Sequence, residues 1–111
     1  MSIEAQLVHT CSVRRASHSK SNQAKVFAWS TVATGVCCRV EPGSDVAQAT
    51  VLGIGVAESR KVFFAGAEDI RNGDEITVST GETLAIRSVQ RFYAGGPSAH
   101  HLEAVAAVQD A

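Results

Sequence analysis

Two pairs of adjacent metal-ligating residues, His100-His101 and Cys37-Cys38, have the most evident capacity for chemistry in this chain. A borderline divalent ion takes such nitrogens and thiolates, with His9, His18 or a further thiol completing the shell. Neighbouring residues of a strand point to opposite faces, however, so neither pair is expected to close on one ion, and no C-x-x-C spacing offers an alternative. The reading adopted for the histidines is one imidazole partly buried and the other exposed or at a subunit contact. For the cysteines it is one filling the core and the other at a rim. A catalytic thiol needs a histidine held against it by a third group. No nucleophile with a base and an orienting partner can be nominated, so the chain is expected not to be an enzyme and to carry neither metal nor cofactor.

Gly53-x-Gly55 lacks the third glycine, the βα context and the later acid of a dinucleotide site, and reads as a flexible loop. Arg14-Arg15-Ala16-Ser17 has the form of a kinase-recognition string, of a kind common by chance in exposed segments. Arg14, Arg15, Lys20 and Lys25 form a cationic stretch without acids, able to meet DNA phosphate or an acidic partner, or simply to stand in solvent. Residues 43–58, with Val46, Val51, Leu52, Gly53, Ile54, Gly55 and Val56, are low in charge and partly apolar. That composition suits contact between subunits or stacked rings, or a loop turned into a lumen.

The 111 residues fit a single domain with its own core. Ten basic and eleven acidic side chains leave a formal charge of −1, so no whole-protein field favours non-specific nucleic-acid binding. Three cysteines cannot all pair, which argues for reduced thiols and against a disulfide framework. Neither a secretory leader nor an apolar run of membrane-spanning length is read, and no membrane partner is expected.

The elements that must position these groups read as short strands. Leu7 to Arg14 alternates, with Leu7, His9, Cys11 and Val13 on one face. Residues 14–24 are polar and aperiodic and are expected to form a long exposed loop. Two strands follow, 25–32 and 36–41, separated by Gly35 and closed by Pro42-Gly43. Residues 44–58 are read as an extended loop, with Ser44 or Asp45 as a conceivable helix cap. Strands at 61–65, 75–79, 83–93 and 100–108 complete the series, with turns at Asn72-Gly73 and Thr80-Gly81. Leu84 and Ile86 share a face and Val89 is out of phase, which predicts a β-bulge near Arg87 or Ser88. Leu102, Ala104, Ala106 and Val108 are expected to point inward. The fold class is all-β, a small β-barrel or sandwich with long inserted loops and little helix.

The blocks Val32-Ala33-Thr34-Gly35-Val36-x-Cys38-Arg39-Val40-Glu41-Pro42, Asp69-Ile70-Arg71-x-Gly73-Asp74-x-Ile76 and His100-His101-Leu102-Glu103, in this order and spacing, resemble the head-closure proteins of long-tailed phages. These are also called head-completion, stopper or head-tail joining proteins. The resemblance covers roughly residues 26–108. It implies a β-barrel subunit of a homo-oligomeric ring, a dodecamer by family likeness, at the neck of the virion and assembled in the host cytoplasm. Its partners would be an adaptor or portal-side connector, a tail terminator or other tail protein, and the packaged double-stranded DNA whose channel it closes. The Cys37-Cys38 pair departs from the pattern, as does the lack of an aromatic near Leu84.

A different class of function, a single-strand nucleic-acid binder on an OB-like barrel, would combine a basic groove with stacking aromatics. Phe27, Trp29, Phe63, Phe64, Phe92 and Tyr93 fall mostly within the expected strands, where core packing accounts for them.

Overall fold

Alternating burial governs the architecture from the outset: Cys11 and Val13 are buried on β1 (His9–Ser21), Val62 and Phe64 on β3 (Ser59–Ala65), Ile76 and Val78 on β4 (Glu75–Val78). β2 (Ala24–Pro42) contributes Val36 and Cys38, β5 (Thr83–Phe92) Leu84 and Ile86, and β6 (His101–Val108) Leu102, Ala104 and Ala106. Period-2 alternation leaves each strand with one apolar face, and closing the sheet on itself buries all of these faces at once while removing exposed edges. The computed structural model describes residues 6–21, 24–43, 53 and 58–109. Its six strands form a closed antiparallel barrel in the order β1-β2-β3-β6-β5-β4. No α-helix is found among the described residues.

The bulge expected after Ile86 is present: Ile86 pairs with Ala106 and Ser88 with Val105, leaving Arg87 as the extra residue. The slip puts Val89 back onto the barrel interior, where it packs against the core cluster. The turns at Asn72-Gly73 and Thr80-Gly81 also fall as read, with Gly73 and Gly81 at positive φ values of 90° and 99°. Gly43 N–H donates to the Ser59 carbonyl just beyond the Pro42↔Arg60 pair, and the turn expected after Pro42-Gly43 runs outside the described residues.

Two expectations are corrected. The loop expected over residues 14–24 is strand at its described residues: β1 runs on to Ser21 and pairs with β2 from Arg15↔Ser30 out to Ser21↔Ala24. Residues 25–32 and 36–41 are not separate strands but parts of one 19-residue strand. Gly35, at φ 65°, lies in a register slip between the Cys11↔Val36 and Val13↔Ala33 pairs, and a second slip follows before Arg14↔Thr31. Glycine there bends the strand without ending it, because a bulge places an extra residue on one strand and strengthens the local twist. The barrel-forming end of β2 thus becomes one side of a projecting ribbon.

Candidate functional site

Beyond the bend, β1 and β2 leave the barrel as a two-stranded arm. β1 meets β4 only from Cys11↔Val78 to Arg14↔Glu75, and β2 meets β3 only from Cys38↔Phe64 to Pro42↔Arg60. Among the described strands, residues 15–21 and 24–30 therefore pair only with each other. Neither outer edge of this ribbon has a strand partner among the described residues, and a two-stranded ribbon is marginal in water by itself. Seven residue pairs, from Arg15↔Ser30 to Ser21↔Ala24, make the arm about 24 Å long.

The base of the arm is clamped to the barrel by charge. Arg15 donates from Nε to Asp74 Oδ1 and from a terminal nitrogen to Oδ2, each at 2.8 Å, and also to the Asp69 carbonyl at 3.1 Å. Asp74 is 1% exposed and its Oδ2 also accepts the Arg71 N–H at 3.0 Å, so the buried carboxylate has donors on both oxygens. Hydrogen bonding by Asp74 holds the Arg15 guanidinium further above its already high ordinary value, against the opposing cost of burial. Next to it, Arg14 donates from Nε to Glu75 Oε1 at 2.7 Å, and its guanidinium carbon lies 4.9 Å from the Trp29 ring centroid. Asp69 is bound by Arg71, whose Nε donates at 3.0 Å, and this bond and the Arg15 charge draw its carboxyl below the ordinary range. A cleft of about 210 Å³ lies in this corner, lined by Arg15, Ala16, Arg71, Asn72, Gly73 and Asp74.

Of the four cations singled out from sequence, Arg14 and Arg15 thus pair within the chain, where each anchors the arm. Lys20 and Lys25 face each other as backbone partners near the arm's end. Their side chains, and Val46, Val51, Leu52, Ile54, Gly55 and Val56, lie outside the described residues. Gly53 is exposed with φ 71°. The anchoring carboxylates of Asp69, Asp74 and Glu75 were not singled out as site residues. The signal for them was the Asp69-Ile70-Arg71-x-Gly73-Asp74-x-Ile76 block itself: Ile70 and Ile76 enter the core, Gly73 turns, and Asp74 receives Arg15.

A second cavity, about 310 Å³, is lined by Gln6, Leu7, Arg39, Glu41, Phe63, His100 and His101. His100 precedes β6 and is outside the regular strand, so the two imidazoles converge instead of diverging, with Nδ1 atoms 3.0 Å apart. This corrects the expectation drawn from strand alternation. His101 stacks on Phe92 at 4.9 Å between centroids and 2° between planes, and its Nε2 is 2.9 Å from Glu103 Oε2. Burial opposes ionisation of Glu103, but hydrogen bonds from Lys61 and His101 prevail and hold its carboxyl below the ordinary range.

The cysteines divide as expected, with Cys38 in the core and Cys37 exposed. Cys11 is buried beside Cys38 across the β1–β2 pairing, and the Cys38 hydrogen bond together with burial pushes its thiol up, so it stays protonated. Among the described residues no group of three or more His, Cys, Asp or Glu side chains converges.

No protein-family model and no curated protein sequence matches this chain. Among solved structures it is similar to protein SF1141 from Shigella flexneri 2a, at 16% identity and a TM-score of 0.65, over 92% of each chain. It is also similar to the phage-like element PBSX protein xkdH from Bacillus subtilis, at 17% identity and a TM-score of 0.57, over 91% of this chain and 93% of that one. At these identities what is shared is the fold: the same small β-barrel, nearly end to end.

Proposed function

We propose that this chain is a structural protein of a phage or phage-like particle, a barrel subunit of a homo-oligomeric ring at the head-tail interface. In that place it closes the DNA channel after packaging and presents a docking surface to the tail, with a connector ring on the head side. The observation that carries the reading is the barrel shared with a protein of a phage-like element over more than nine-tenths of both chains. The resemblance of the Val32–Pro42, Asp69–Ile76 and His100–Glu103 blocks to head-closure proteins supports the same role.

The arm gives the ring a means of assembly. It presents two edges without a strand partner among the described residues and the half-exposed Trp29 and Val32, and it carries Lys20 and Lys25 within a stretch, residues 5–40, that has no acidic side chain. The remainder of the chain is correspondingly acidic, so the arm of one copy and the barrel of the next attract each other. A contact of arm to neighbouring barrel is heterologous, and such contacts close into rings.

The single-strand binding alternative draws no support from the exposed aromatics. Trp29 is on the arm under the Arg14 guanidinium, and Tyr93 follows β5, so they do not form one stacking platform. Electron micrographs of lysates from cells lacking this gene test the proposal. Filled heads and complete tails that fail to join are expected; normal joined particles would overturn it.

A further inference from the structure

The His100-His101 corner has the chemistry of a metal site that neither the fold nor the proposed role requires. A carboxylate only accepts, so the 2.9 Å contact with Glu103 places a proton on His101 Nε2 and leaves the lone pair on Nδ1. The ring is held in that orientation by the Phe92 stack, and Glu103 is held by the Lys61 ammonium at 2.8 Å. A carboxylate fixing the far nitrogen of an imidazole is the outer-shell arrangement of metal-bound histidines.

With His101 neutral and its proton on Nε2, the 3.0 Å contact between the two Nδ1 atoms has His100 as donor. Moving the His100 proton to its own Nε2 frees a second lone pair beside the first. Two nitrogens 3.0 Å apart, each about 2.0–2.1 Å from an ion, subtend an angle of about 90° at it. That is the cis angle of a square-planar or octahedral shell; a tetrahedral zinc site needs its nitrogens further apart.

The geometry points to a site for a divalent transition ion of tetragonal preference, Cu(II) or Ni(II), bound by His100 Nδ1 and His101 Nδ1 at the mouth of the 310 Å³ cavity. Glu41 lines the same cavity, and water supplies the remaining positions. The ion would sit on the segment entering β6, beside the end of β5, where His100 N–H donates to the Phe92 carbonyl at 2.6 Å.

Titration of the full chain with Cu(II), followed by calorimetry and electron paramagnetic resonance, tests this. One ion per chain with coupling to two imidazole nitrogens is expected, with Ni(II) competing for the site better than Zn(II). His100 is exposed, so His100→Ala should leave the metal-free chain folded, with only a small change in its melting curve from the lost His101 contact, while weakening the site at least tenfold. Glu103→Gln, which keeps both ligands but loses their orienting carboxylate, should weaken it about tenfold or more. Unchanged affinity in His100→Ala, or a spectrum with fewer than two nitrogens, would put the ion on other histidines and overturn the assignment.

Discussion

Arg15 and Asp74 are 59 positions apart in the chain and meet through two parallel hydrogen bonds of 2.8 Å, guanidinium fork against carboxylate. The first sits where β1 leaves the barrel and the second at the turn before β4, so the pair fixes the angle at which the arm departs. With Asp74 1% exposed and the Arg15 side chain 22% exposed, removing one partner strands the other's charge in a poorly solvated corner. Asp74→Asn is expected to cost about 2–3 kcal/mol. Urea unfolding with unchanged m-value checks the cost, and hydrogen exchange should show residues 15–21 losing protection before the barrel strands do.

Removing residues 17–28 and joining Ala16 to Trp29, a paired couple, through Asn-Gly separates the arm from the fold. The barrel should still melt cooperatively, because in the described strand pairings residues 17–28 pair with one another and not with β3 to β6. Assembly into rings or particles should be lost, as read by sedimentation velocity and by incorporation of the shortened chain. A shortened chain that assembles normally would assign the subunit contact to another surface.

The arm was the part of the fold least legible in sequence, and for a physical reason. Alternation arises when one face of a strand is buried; past Arg14 the ribbon leaves the core, and Ser17, Ala28, Ser30 and Thr31 are all exposed. A polar, aperiodic strand then has the pattern of a loop. By contrast β3 to β6 face a closed interior, and their alternation, the Gly81 turn and the slip after Ile86 are all legible in the sequence. The Arg15–Asp74 clamp was invisible because it joins elements remote in sequence. The convergence of His100 and His101 escapes strand alternation because β6 begins at His101, one residue after the apolar-polar pattern suggests.

Gly66 tests how closely the 93–100 connection packs on the barrel. A Cβ at this position would collide with the Ala99 carbonyl, a backbone group with little freedom to move. Gly66→Ala should therefore destabilise by about 1–3 kcal/mol, measurable as a lowered melting temperature. Gly81→Ala meets open space but keeps φ at 99°, so its cost is strain alone, about 1 kcal/mol.

Acid sensitivity follows from the two carboxyls held below their ordinary range, Asp69 by Arg71 and Glu103 by Lys61 and His101. A depressed folded value means that the stabilisation is complete above the unfolded pKa, near 4 for such groups, and is lost as pH falls through the lower folded value. Unfolding midpoints should be flat from pH 7 to about 5 and fall below about 4. Glu103→Gln should flatten part of that decline. The Asp69 share should vanish in high salt, because its side chain is 59% exposed.

The central claim is a place in a particle, and symmetry-resolved electron microscopy of the head-tail junction reads it directly. A ring of these barrels at the neck, each arm reaching the barrel of the next copy, is the predicted result. A junction without this chain, or density for it elsewhere in the particle, would contradict the account.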